Sequence, residues 1–409
     1  MNTRVGGGMS LPSDQDHTGR SFGAEELILL RDVLDSGVLF APKGKMVKRF
    51  EGDFARFTGS KFAVACSSGS AAVHTAIAAI DPEPGDEIVT TPVTDMGALA
   101  PIVYQGAIPV FADVDRDSGN LTAHSVEARL SPRTRAVMVT HLFGNPADVE
   151  GIAAVAKSAG VPVIEDCAQA FGARHREAHV GTFGDIGTFS LQQGKHITTG
   201  EGGLVVSNSS ELARQMRLFV NKAWDYDSPG DHDFLALNYR MSELVGAVGC
   251  AQLAKLAEGV ERRIKAAAVL DSVLAEVPGI SLPKTVVGST NSYWRYTLFV
   301  DPAVIPGGPA GLAKELKELG IPSAPRYIQK PAFRCGVFRD QKTFGSSRFP
   351  FNVARAEALD YSDALFPGTI SYLDRVLVLP WNEKYDDEIA ARVGAAIRLG
   401  AERLAESSS

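Results

Sequence analysis

The sequence predicts an α/β protein in two parts: a large domain built on a mostly parallel seven-stranded sheet, and a smaller C-terminal α/β domain. Three observations support this. From Phe62 to Asn208 short apolar, β-branched runs alternate with helical segments, as expected of a largely parallel sheet covered on both faces. A chain of 409 residues exceeds what one typical core organises. Beyond a helical stretch ending at Leu274 the texture changes to half-exposed alternating runs.

Residues 1–20 are Gly/Ser/Asp-rich and aperiodic, and are expected to form a mobile tail. From Ala24 the spacing of Leu27, Leu30, Val33 and Leu34 predicts a helix closed at Ser36-Gly37, and Val47, Phe50, Phe54 and Phe57 predict a second helix ending near Gly59. Strands are predicted at 62–66, 87–91, 108–114, 136–141 and 161–166, in a run ending at Ser190, and in the GLVVSN run after Gly202. Helices are predicted at 148–159 and 210–220, with a long helical stretch from Met241 to Leu274 bridging the domains, broken only at Gly246, Gly249 and Gly259. The domains are placed at 21–260 and 261–409. In the second, strands at 293–300 and 376–380 and helices at 309–319 and 386–405 complete the smaller unit.

A formal net charge of −7 argues against nucleic acid or an anionic membrane as partner. No apolar run approaches membrane-spanning length, and the first residues lack the apolar segment of a signal peptide, so a cytoplasmic protein is expected. Cys66, Cys167, Cys250 and Cys335 have no metal-ligand spacing, the eight histidines form no HExxH pattern, and no metal site is expected.

Three features suggest chemistry. Ser68-Gly69-Ser70 opens a helix, where backbone N–H groups, hydroxyls and the helix dipole suit a phosphate; a simple helix cap is the alternative. Asp166 directly follows an apolar strand, at the edge where ligands collect in such sheets. A carboxylate there can keep a pyridine nitrogen protonated, with a cap for the next turn as the alternative. Gln169 is within reach of the same ring. Lys195, in the stretch GTFSLQQGKHITTGEGG, is a Schiff-base candidate if partial burial lowers its pKa, and a solvated loop lysine if not. In this chain order the three describe pyridoxal phosphate held at its phosphate, ring nitrogen and aldehyde.

Together GDIGTFSLQQGKHITTGEGG, VIEDCAQAFGA before it and ALNYRMSELVGAVGCAQL after it resemble the DegT/StrS family of sugar and cyclitol aminotransferases, which are fold-type I pyridoxal phosphate enzymes. The similarity runs from about Ala24 onward. It implies that Lys195 forms the Schiff base and shuttles the proton, that Asp166 pairs with the pyridine nitrogen, and that Gln169 lies near the ring hydroxyl. Ser190 with Ser68, Gly69 and Ser70 would hold the phosphate. Asn238, before Tyr239-Arg240, would reach the phosphate of a neighbouring subunit, which implies a homodimer with shared active sites.

Two departures stand out. Asp95 occupies the place where the family stacks an aromatic residue on the cofactor, so either Met96 covers the ring with its thioether or that face is open and polar. Phe171 stands where a histidine is common. Trp224, Tyr226, Arg326 and Tyr327 are candidate substrate contacts.

The expected reaction is a two-stage, ping-pong transamination from glutamate or glutamine to a keto group of a sugar nucleotide or keto-cyclitol, in antibiotic or other secondary-metabolite biosynthesis. The Gln192-Gln193 pair resembles the cyclitol-type members. The alternatives are a sugar dehydratase of the same family, whose relatives carry histidine where Lys195 stands, and a non-catalytic cofactor-binding regulatory protein.

Overall fold

The computed structural model describes residues 11–228 and 230–407. The N-terminal helices α1 (Ala24–Ser36) and α2 (Met46–Thr58) each end at a glycine in the left-handed region, Gly37 at φ 67° and Gly59 at φ 80°, where a side chain would be strained. They lead into β1 (Phe62–Cys66), α3 (Gly69–Ala79), β2 (Glu87–Thr90), α4 (Met96–Tyr104), β3 (Ile108–Phe111), β4 (Thr134–Thr140) and β5 (Val163–Asp166). A small hairpin, β6 (Arg174–His175) and β7 (Ala178–His179), precedes β8 (Ile186–Ser190) and β9 (Gly203–Ser207).

Seven of these strands form one sheet in the order β1-β9-β8-β5-β4-β2-β3. Pairing is parallel from β8 through to β3, whereas β9 runs antiparallel to both neighbours. The sheet strands are buried almost throughout, which explains why their sequences read as continuous apolar runs. The reversed β9 places Gly203 opposite both Cys66 and Ser190. The chain leaving β1 and the chain leaving β8 therefore meet at one edge, and Asp166 ends β5 next to β8.

Between β4 and β5 the sheet is locked by a buried polar pair. The Glu165 carboxylate accepts N–H bonds from Gly181 (2.7 Å), Phe183 (2.8 Å) and Gly184 (2.6 Å) and faces His141 Nε2 at 3.0 Å. His141 Nδ1 accepts from the Ala147 N–H, so Nε2 carries the ring proton and donates to Glu165. His141, Glu165 and Cys167 lie close together, yet the histidine and carboxylate lone pairs are spent within the protein. Glu165→Ala would leave three buried or partly buried N–H groups and the buried His141 without their acceptor, and should destabilise the large domain by about 3–5 kcal/mol. The shift of the urea unfolding midpoint measures it.

The helix Glu243–Leu274 is continuous: its glycines do not break it. A Cβ on Gly246 would lie 2.8 Å from Val47 Cγ2, and one on Gly249 the same distance from Phe50 Cε1, so these positions let α2 cross closely. Its first half packs in the large domain through Leu253 and Leu256, its second in the small domain through Ala266, Leu270 and Leu274. There β10 (Ile280–Ser281), β12 (Arg295–Val300), β14 (Val376–Pro380) and β13 (Ala324–Pro325) form an antiparallel sheet in the order β10-β12-β14-β13, and β11 (Ser289–Thr290) pairs with β6 across the domains. Among the described residues no helix is long and apolar enough to cross a membrane.

Residues 11–20 differ from the expected mobile tail, the rest of which lies outside the described residues. Asp14 and Arg20 are buried, and the segment is held by polar bonds to both domains, a kind of ordering that apolar periodicity does not reveal.

Candidate active site

At the sheet edge, α3 begins directly after β1. Ser68 caps it, with Oγ accepting from the Ala71 N–H at 3.1 Å, so the cap alternative is realised. The N–H groups of Gly69 and Ser70 lie in the first turn, which has no acceptors of its own within a helix. Ser190 stands against them: a Cβ on Gly69 would fall 2.6 Å from Ser190 Cβ and 2.7 Å from its Oγ. Ser70 faces α4, since a Cβ on Gly97 would meet Ser70 Oγ at 2.6 Å and Asp95 Oδ1 at 2.9 Å.

Asp95 is exposed and caps α4, accepting from the Gly97 N–H at 2.7 Å. Its partly buried neighbour Met96 packs against the main core. Asp166 is buried and its carboxylate accepts one hydrogen bond, from the Ala168 N–H at 3.1 Å. Burial raises its carboxyl above the ordinary value, against the pull of that bond and of Lys195; an added cation beside it would restore the charged form. Both ends of the Gln169 amide are engaged: Oε1 accepts from the Phe143 N–H at 2.8 Å and Nε2 donates to Tyr327 Oη at 3.2 Å.

Lys195 lies over Trp294, with Nζ 4.1 Å from the ring centroid. Burial lowers its pKa to about 8, while the charges of Asp166 and Asp95 oppose the shift. Roughly a tenth of the amine is then neutral at pH 7, against far less for an ordinary lysine. Its neighbour His196 turns away, Nε2 meeting the Ser292 carbonyl oxygen at 3.0 Å. Trp294 packs with Phe143 and Tyr327 (centroids 6.1 Å from each), and Phe143 meets Tyr327 edge-on at 4.8 Å. Burial pushes the Tyr327 hydroxyl well up, so it stays protonated.

The structure thus brings Ser68, Gly69, Ser70, Asp95, Asp166, Gln169, Ser190, Lys195 and Tyr327 to one region. It does not bring the other substrate candidates there within one chain. Lys222 and Ala223 take positive φ values of 65° and 56°, turning the chain so that Trp224 and Tyr226 line a cavity of about 450 Å³ with Lys48, Arg217 and Arg240. Asn238 is exposed and bridges Asn221. Arg326 pairs with Asp374. Phe171 is fully buried between Phe54 and Phe189. Sequence reasoning missed Phe143, Trp294 and Arg295; the Trp-Arg pair opening a strand just beyond the domain bridge was the available signal.

The donor set fits pyridoxal 5′-phosphate: a helix N-terminus with hydroxyls for the phosphate, a buried carboxylate short of partners for a protonated ring nitrogen, and an amine of lowered pKa for the aldehyde. Fold and site together define a fold-type I, pyridoxal-phosphate-dependent aminotransferase.

The chain belongs to the DegT/DnrJ/EryC1/StrS aminotransferase family, whose family model matches residues 21–398. It is 35% identical to the GDP-perosamine synthase of Vibrio cholerae over 281 residues, 69% of this chain and 76% of that protein. It is 32% identical to the spore coat polysaccharide biosynthesis protein SpsC of Bacillus subtilis (strain 168) over 387 residues, 92% and 94% of the two. The crystal structure of the aminotransferase TlmJ from Streptoalloteichus hindustanus superposes with a TM-score of 0.80 at 28% identity, covering 94% of this chain and 98% of that one.

Proposed function

We propose that this aminotransferase carries nitrogen from glutamate or glutamine to a ketone on a nucleotide-linked sugar. The observation that supports the site assignment most is the setting of Lys195, its Nζ 4.1 Å from the Trp294 ring centroid, where burial lowers its pKa against the charges of Asp166 and Asp95. The similarity to GDP-perosamine synthases favours a sugar acceptor. The Gln192-Gln193 pair gives little support to a cyclitol, because Gln193 Nε2 donates to the Asp14 carbonyl oxygen and Gln192 Oε1 accepts from the Gly194 N–H; both amides have structural partners.

Pyridoxal phosphate, when bound, supplies an aldehyde that captures amines and a ring that accepts electrons. Lys195 would hold the aldehyde end and would carry the proton at the substrate α-carbon, as base and then as acid. Asp166 holds the proton at the ring nitrogen. The N–H groups of Gly69 and Ser70 and the hydroxyls of Ser70 and Ser190 hold the phosphate, with Ser68 fixing the turn that presents them. Gln169 supports the ring hydroxyl from between Phe143 and Tyr327, and Asp95 and Met96 border the ring. Asn238 serves the site of a second copy in a homodimer with shared active sites; its exposure and the exposed apolar side chains of Leu27, Ile28 and Leu34 on α1 support that reading. The proposed compartment is the cytoplasm, where the buried free thiols of Cys66, Cys167 and Cys250 would remain reduced.

Spectroscopic half-reactions test the proposal. Adding glutamate or glutamine should bleach the visible absorbance of the loaded enzyme, and a nucleotide-linked keto sugar should restore it with release of the amino sugar. Recovery only with keto-cyclitols would move the acceptor, and no response to any amino acid would refute the reading.

A further inference from the structure

The segment before α1 is built into the reacting loop. Arg20 Nη1 donates to the Lys195 carbonyl oxygen at 2.7 Å, its Nη2 donates to the Gln193 carbonyl, and its Nε to the Asp14 carbonyl at 2.8 Å. The carbonyl between them, that of Gly194, accepts from Trp294 Nε1 at 2.6 Å. Three successive carbonyls of the lysine loop are therefore each held by a side chain from elsewhere in the chain. Asp14 closes the circuit: its Oδ2 accepts from Arg295 Nη1 at 2.5 Å and its Oδ1 from Gln15 Nε2 at 2.8 Å. The Arg295 guanidinium lies 4.8 Å from the centroid of the Trp294 ring on which Lys195 Nζ rests.

The segment is also shaped to stay put. The Ser13 N–H donates to Thr18 Oγ1, the Thr18 N–H to Asp16 Oδ1, and Asn382 of the small domain to the Pro12 carbonyl. A Cβ on Gly19 would fall 2.3 Å from the Ser13 oxygen, so the loop closes only on glycine there.

We propose that residues 11–20 are a strap that positions the reacting lysine, with Asp14 and Arg20 as its positioning residues: Arg20 fixes the loop backbone, and Asp14 holds Arg295 and Trp294 beneath the amine. Neither residue touches reacting atoms. The inference rests on Lys195 being the reacting amine and adds what holds it.

The test is competitive acetylation of Lys195 in the cofactor-free, full-length protein, followed by mass spectrometry across pH. The charged groups facing the amine are Asp166 at the end of β5, Asp95 at the start of α4 and Arg295 on β12. In the wild type, reactivity should rise with a midpoint near 8. In Arg20→Ala and in Asp14→Asn the loop is released toward solvent, and the midpoint should move up toward the ordinary lysine value of about 10.4. In the loaded enzyme kcat should fall by about 10- to 100-fold with the donor KM changed little, and Arg20→Lys, which keeps one charged donor, should recover part of it. Asp14→Asn is nearly isosteric and keeps the test open if Arg20→Ala fails to fold. An unchanged midpoint in a folded variant of either residue overturns the strap. Acetylation needs neither cofactor nor substrate, so such a result leaves the assignment of Lys195 standing; cofactor attached to another lysine would remove that assignment instead.

Discussion

Lys195→Ala should abolish transamination, with turnover reduced by at least about four orders of magnitude, because one amine serves as both nucleophile and proton carrier. The fold should persist. The loop is held through the carbonyls of Gln193, Gly194 and Lys195, which the substitution leaves in place, and the lost side chain contributes chiefly its contact with Trp294. The cofactor should still bind through its phosphate and ring nitrogen, but without the visible absorbance that a lysine-bound aldehyde gives. An unchanged spectrum would identify a different lysine as the reacting one.

Asp166→Asn should keep the cofactor and lose most of the rate, by roughly 10²- to 10³-fold, the size expected for removing one preorganised charge from such a site. The amide preserves shape and can still accept from the Ala168 N–H, but it cannot hold a proton at the ring nitrogen. A second readout follows from sign. The Asp166 carboxylate raises the Lys195 pKa against burial, so removing its charge should drop the midpoint in the cofactor-free protein below about 8. That is opposite in direction to the strap variants, and acetylation across pH separates the two effects. Rates near normal in Asp166→Asn would take Asp166 out of its proposed role.

Much of the fold was legible because buried strands between helices write themselves as short apolar runs. The strand Phe62–Cys66 and the helix Ser210–Val220 fall at the predicted bounds, and the glycines after α1 and α2 mark their ends. Asp166 and Lys195 could be singled out because a helix start suited to phosphate, a strand-end carboxylate and a lysine among glycines follow in one chain order; each alone has an ordinary structural reading. The strap was not legible. It is held by carbonyl oxygens and side-chain amides rather than an apolar stripe, so its Gly/Ser/Asp composition reads as tail. Trp294 was hidden for the opposite reason: beside an alternating strand it reads as ordinary core. Trp224 and Tyr226 follow the positive φ angles at Lys222 and Ala223 and line a separate cavity of the same chain, a placement of which composition carries no record.

Everything proposed for the site depends on Lys195 being the amine that engages the cofactor. Borohydride reduction of the loaded enzyme, followed by peptide mass spectrometry, fixes the cofactor to whichever lysine holds it. The reduced adduct is expected on Lys195, in the peptide spanning Gln192–Thr198. An adduct on any other lysine, or none, would contradict it.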